Sequence, residues 1–232
     1  MTKRQKARMA MTALASIACA TQASGATAPW TLDANLGVVS DYRWRGMSLS
    51  GRKAVVQGGI DIGHESGAFV GVWGSSLPAT AGRAEIDIAA GWSFEHGATS
   101  GSIGTTAYLY PALGDADYVE INASARQRFG SVEIGIAAAY APRQKNLARR
   151  DLYVTSDATI SIGAGVRATA QVGINRGPTT LTHTKLDWSL RVIKSWKGHE
   201  ISIAYVGTDE KWRGNGGAPY RPGVTIGILE NF

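Results

Sequence analysis

Cysteine, proline and histidine are scarce in this chain, and long hydrophobic runs are missing. The one cysteine, Cys19, falls near the N-terminus, so nothing beyond it supports a disulfide framework or thiolate chemistry. Seven prolines in 232 residues leave extended segments almost uninterrupted. The four histidines, His64, His96, His183 and His199, fall in expected turns or loops without metal-ligand spacing. No metal and no cofactor is therefore expected. The longest apolar runs past the N-terminus, such as Ile134 to Tyr140, are a few residues long, and this one is broken by Gly135. A transmembrane helix needs about 20 apolar residues. A closed barrel is then the remaining way to cross a bilayer.

Glycine is abundant, at 29 residues, and seven tryptophans and eight tyrosines outnumber four phenylalanines. Trp and Tyr are the residues that form girdles at membrane interfaces. A secreted β-sandwich is also rich in glycine and alternation, so composition leaves both classes open.

The N-terminus reads as an export signal spanning residues 1–26. Lys3, Arg4, Lys6 and Arg8 precede a short apolar stretch, Met9 to Ala18. Ala18-Cys19-Ala20 and Ser24-Gly25-Ala26 then offer cleavage sites, placing the cut between about residues 20 and 28. A lipoprotein reading of Cys19 meets Ser16 where a lipobox normally has Leu. These four cations account for four of the formal +6 charge, leaving +2 on residues 27–232, expected to be one barrel. So small an excess argues against a nucleic-acid partner.

Period-two alternation runs through the remainder, the pattern of strands with two unlike faces. About twelve strands are expected, forming an all-β, antiparallel transmembrane barrel. The first runs from Trp30 to about Arg45, with Leu32, Ala34, Leu36, Val38, Tyr42 and Trp44 on the lipid face. Asp33, Asn35, Gly37, Asp41, Arg43 and Arg45 share the lumen face. Lys53–Gly63 sets Lys53, Gln57 and Asp61 inward. Arg83–Trp92 does so with Arg83, Glu85 and Asp87, Gly101–Tyr110 with Tyr108, and Asp117–Gln127 with Glu120 and Arg126. Lys185–Ser195 contributes Asp187 and Arg191. Gly67–Ser75 is ambiguous, because Phe69 and Trp73 oppose Val70 and Val72. Ser131–Ala141, Asp151–Ser161, Gly165–Asn175, Glu200–Thr208 and Arg221–Phe232 complete the set. The links alternate short and long, as in outer-membrane barrels with tight periplasmic turns. Glu95–Ser100 is the one link of the short set expected to run long. Trp44, Trp92, Trp188 and Tyr205 are the expected girdle.

Specific pieces add to this pattern: S-D-Y-R-W-R-G at Ser40–Gly46, V-Q-G-G-I-D at Val56–Asp61, and G-V-W-G-S at Gly71–Ser75. A-E-I-D at Ala84–Asp87 and A-Y-V-G-T-D at Ala204–Asp209 follow. Together they resemble the TorF-type porins of proteobacteria. The family usually has Pro at the place of Ala54 and an aromatic at the place of Glu230. The resemblance implies an outer-membrane barrel in a Gram-negative bacterium and supplies no substrate or catalytic residue. Phe232 ends an alternating strand in the manner of outer-membrane barrels, so outer-membrane lipid and the barrel-assembly machinery are expected partners.

The expected pore lining is thus Arg43, Arg45, Lys53, Gln57, Asp61, Glu85, Asp87, Tyr108, Glu120, Arg126 and Arg191. Charges of both signs suit a solute pathway. They equally suit a barrel filled by paired charges. Glu85 and Asp87 share a face, with Arg43 and Arg45 available as partners. Consecutive residues in the turn His64-Glu65-Ser66 cannot form a catalytic triad. Passive diffusion of small polar solutes is the expected function. A non-conducting structural or docking barrel is the alternative, and an outer-membrane lipid hydrolase is a further one.

Overall fold

The structure is a computed structural model and describes residues 29–113, 116–181, 184–211 and 219–232. The expected signal peptide and His183 lie outside these residues. In chain order the strands are β1 Trp30–Val39, β2 Arg43–Trp44, β3 Met47–Ser48, β4 Val55–His64, β5 Ala68–Ser76, β6 Ala84–His96 and β7 Thr99–Leu109. Then come β8 Tyr118–Phe129, β9 Val132–Ala141, β10 Asp151–Gly163, β11 Val166–Arg176, β12 Thr184–Trp196, β13 His199–Thr208 and β14 Gly223–Asn231. All but β2 and β3 join one closed antiparallel barrel of twelve strands, each beside its sequence neighbour. β1 closes it against β14, from Asn35 opposite Asn231 to Val39 opposite Gly227. The amides of Ser40 and Phe232 extend this seam by bonding the carbonyls of Ile226 and Ala34. Closure leaves no unpaired strand edge.

The exterior is the apolar parity. Leu32, Leu36 and Val38 of β1 are exposed, as are Ile134 and Ile136 of β9, Leu190 and Val192 of β12, and Val224, Ile226 and Ile228 of β14. A soluble sandwich would bury these side chains. Their continuous exposure marks a surface made for hydrocarbon. Aromatic residues crowd the tight-turn rim: Trp30, Phe94, Phe129, Trp196 and Phe232 all face out there. Trp92 and Tyr205 are exposed as expected, and Trp188 is half-buried.

Five links are tight, and glycine or a left-handed residue makes each possible. Lys197 and Gly198, with φ of 47° and 88°, form a turn whose twist matches the strands it joins. The Glu95–Ser100 link is also tight: both strands run through it, leaving only Gly97 and Ala98 between β6 and β7. Alternation persists to His96, and Gly97 adopts the positive φ that the turn requires.

The main correction concerns the first strand. It leaves the wall after Val39, and the chain folds inward instead of continuing to Arg45. Residues 43–48 form the separate hairpin β2–β3 inside the mouth at the long-loop end. Tyr42 and Trp44 therefore do not face lipid; Trp44 is buried, and Tyr42 packs edge-on against Trp73 at 5.5 Å. Trp73, whose facing the sequence leaves open, is buried on the lumen side of β5. Lys53 and Arg83 precede their strands, are exposed, and do not line the lumen.

Candidate functional site

The inserted hairpin is built around Asp41. Its carboxylate accepts hydrogen bonds from Arg43 Nε at 2.7 Å, Ser48 Oγ at 2.5 Å and Ser50 Oγ at 3.1 Å. Ser50 Oγ in turn accepts the Tyr42 amide at 3.0 Å. Arg43 Nη1 donates to the carbonyls of Gly46 and Arg221 at 3.2 and 2.8 Å, tying the hairpin to the β13–β14 side. The two-residue turn joining β2 to β3 is Arg45–Gly46, with φ of 46° and 83°. A left-handed arginine is uncommon and costs about 1–2 kcal/mol. Gly46 lies so close to the wall that a Cβ there would stand 2.5 Å from the Gly207 carbonyl. The turn therefore requires its glycine twice, for conformation and for space.

Arg45 uses that turn to reach across the lumen. Its Nη2 donates to both oxygens of Glu120 on β8, at 2.6 and 2.7 Å. Its Nη1 donates to Asn175 Oδ1 on β11 at 2.9 Å and lies 3.6 Å from Asp151 Oδ1 on β10. The guanidinium is sandwiched between the Trp44 and Tyr153 rings, 4.2 and 4.3 Å from their centroids. Glu120 is fully buried and also accepts Tyr108 Oη at 3.1 Å. Tyr108 stacks on Tyr118 with centroids 4.6 Å apart. Asp151 is held by Asn175 Nδ2 at 2.7 Å and by Thr179 Oγ1 at 2.6 Å. One side chain thus connects three wall strands and, through Asp151, reaches Thr179. A bidentate, charge-assisted contact is worth its desolvation only when its remaining groups are satisfied, as most are here.

The other expected lumen residues fall into two zones. Near the long loops, Glu85 is buried and accepts Tyr110 Oη at 2.9 Å, and Asp87 is half-buried beside it. Neither pairs with Arg43 or Arg45 as the sequence suggested. The hairpin carries Arg43 toward β13 and β14, and Arg45 toward β8. Toward the tight turns, Arg126 bridges Asp157 and Glu133 at 3.0 and 3.2 Å, and Arg167 meets Glu200 at 2.8 Å. Asp61 sits opposite Asp33 in the β1–β4 register. Gln57 and Arg191 line a cavity of about 170 Å³ that begins beneath the hairpin and runs along β1 and β11–β14.

Asp151, Tyr153, Asn175 and Lys185 were missed by sequence reasoning. Each is polar or amphipathic, inward in parity and within three residues of a long loop, which is the one signal that marks them. Lys185 is fully buried, with Nζ 5.4 Å from the Trp44 ring centroid. Among the described residues no group of three or more potential metal ligands is gathered.

The comparisons fit this architecture. Two solved structures, the NanC porin and the KdgM porin in complex with disordered oligogalacturonate, have a similar fold. NanC has a TM-score of 0.60 at 11% identity, covering 87% of this chain and 99% of that one. KdgM has a TM-score of 0.57 at 8% identity, covering 87% and 97%. At such identities the likeness speaks for the fold alone. No curated protein matches the chain. A family model does match, over residues 23–219, and the chain belongs to that family, described as bacterial protein of unknown function (Gcw_chp).

Proposed function

We propose that this protein is a porin of the TorF type in the outer membrane of a Gram-negative bacterium, passing small polar solutes by passive diffusion. The observation that carries this reading is an apolar exterior around a polar lumen that still holds a cavity below the inserted hairpin. Twelve strands lie between filled eight-stranded barrels and open sixteen-stranded channels, so a narrow path is the physical expectation. The N-terminal signal delivers the chain across the inner membrane, the tight turns face the periplasm, and the long loops face out. No step is catalytic in this reading: most of the charged lumen groups pair with one another, and among the described residues no nucleophile stands beside a base in a cleft. His64, half-buried at the end of β4, and the exposed Ser66 of the following turn are 2.7 Å apart.

Planar-bilayer recording of the purified protein tests the reading. Small single-channel currents with weak preference between inorganic ions are expected, because the lumen charges have both signs. Absence of current at any voltage overturns it. The competing reading is a non-conducting structural barrel, and a specific observation favours it: Arg45 and Glu120 are both buried where the inserted hairpin meets β8 across the lumen. The two readings separate on whether cutting that contact alters an existing current.

A further inference from the structure

The inward-facing arginines are not equivalent. Arg43, Arg45, Arg126 and Arg167 each have a carboxylate oxygen within 3.0 Å. Arg191 has no hydrogen-bond or ion-pair partner among the described residues, yet it lines the cavity below the hairpin. Its register neighbours are Thr169 on β11 and Ala204 on β13, neither of which can neutralise it. Glu200, the carboxylate whose charge acts on Arg191, is already taken by Arg167 Nη2 at 2.8 Å and Ser195 Oγ at 2.7 Å. Lys185 Nζ also lacks a bonded partner, but that side chain is fully buried behind Trp44, whereas Arg191 is only half-buried. A guanidinium left without a partner at low dielectric is costly unless something else supplies the anion.

Two residues that line the same cavity each carry an unsatisfied group. Asn35 Oδ1 and Trp73 Nε1 are both buried without a hydrogen-bond partner among the described residues. Gln171, Ser189 and Ser202 add amide and hydroxyl groups to the lining. An inorganic ion would satisfy Arg191 and leave Asn35 and Trp73 as they are. A solute bearing one carboxylate and several hydroxyls satisfies all three.

We propose that the cavity is a binding site for small polyhydroxylated carboxylates, with Arg191 receiving the carboxylate and Asn35 and Trp73 meeting the hydroxyls. This deepens the porin reading and rests on it for the meaning of binding, but the site itself is testable by equilibrium measurement.

The experiment is isothermal titration of the full protein in detergent with three probes: gluconate, sorbitol and acetate. Gluconate is expected to bind about tenfold or more tighter than either of the others, since only gluconate offers both a carboxylate to Arg191 and hydroxyls to the lining. Arg191→Gln should bring gluconate down to the level of sorbitol. Arg191→Lys should retain part of the preference, and Asn35→Ala should lower gluconate affinity without changing acetate. Because Arg191 holds no ion pair, Arg191→Gln is expected to fold, which heat-modifiable gel migration checks. Equal binding of gluconate and sorbitol by the wild type overturns the site, as does an Arg191→Gln variant, folded by that gel, with unchanged gluconate affinity. Bilayer recording in parallel separates the two claims. Gluconate binding without current overturns the porin reading and supports the site; current without gluconate preference overturns the site and leaves the porin.

Discussion

The two halves of the lumen solve the same problem differently. Both must place charged groups inside a ring of strands. The half near the long loops does it by filling: a hairpin from the chain itself enters, and Arg45 satisfies Glu120, Asn175 and Asp151 together. The half near the tight turns does it by lining: Arg126, Glu133 and Asp157 pair along the wall and keep 12–21% of their side chains exposed. In the filled half, charges are dry and depend on one another. In the lined half, they are wet and depend on water. Removing one group should therefore be expensive in the first and cheap in the second.

The sharpest way to break this comparison is Arg45→Ala. It leaves the Glu120 carboxylate fully buried with Tyr108 Oη as its one polar side-chain partner among the described residues. Breaking one side of a buried pair costs about 3–5 kcal/mol where the structure stays closed. The hairpin is expected to lift away instead, so conductance should rise several-fold and the temperature of heat-modified migration should fall. Adding Glu120→Gln should return part of the lost stability, because the stranded charge is then gone. An unchanged current in a correctly folded Arg45→Ala protein would mean that the hairpin does not obstruct the path.

Gly46→Ala tests the same half without touching a charge. It adds one methyl at φ 83°, 2.5 Å from the Gly207 carbonyl and 2.9 Å from the Asp187 Cβ. Strain of about 1–2 kcal/mol from the left-handed conformation, plus the clash, should displace the turn and with it Arg45. The expected change in current has the same sign as for Arg45→Ala and is smaller. A current below wild type would show the turn moving deeper instead of out.

How much is legible in the sequence differs between the halves as well. The barrel, its strand number and the inward parity of Glu85, Glu120, Arg126 and Arg191 follow from alternation, because a period of two states which side chains share a face. The lined half is therefore largely legible. The filled half is not, for a specific reason. Asp41, Arg43 and Arg45 keep the parity of β1 after the chain has left the wall, so alternation cannot show the departure at Val39. That continued parity points Trp44 toward lipid, whereas the residue is buried against Arg45. The signals that do mark the hairpin are conformational: glycines at 46 and 51, and a Ser-rich return at 48–50 whose hydroxyls bond Asp41. Partners of Arg45 on β8, β10 and β11 lie 75 to 130 positions away in sequence, beyond any local pattern.

In the lined half, Arg126→Gln removes the shared cation of a triad and leaves Glu133 and Asp157 facing each other. Both remain in contact with lumen water, so the loss is expected at about 1 kcal/mol or less, and smaller still at high salt. The current should keep its size and shift slightly toward cations, because a positive charge has left the wall. A loss comparable to that of Arg45→Ala would mean the inner half is as dry and interdependent as the outer.

Lys53→Ala sets the floor of the scale. Alternation places Lys53 in the lumen lining; in the structure it lies before β4, is exposed, and among the described residues its one hydrogen bond runs from its amide to the Ser50 carbonyl at 3.3 Å. A backbone contact survives the change of side chain. Stability is then expected within about 0.5 kcal/mol of wild type, with current and ion preference unchanged. The measurement is informative because it separates parity from position. A shift in ion preference on removing Lys53 would return that side chain to the conduction path and place the loop before β4 inside the mouth, extending the filled zone beyond the hairpin.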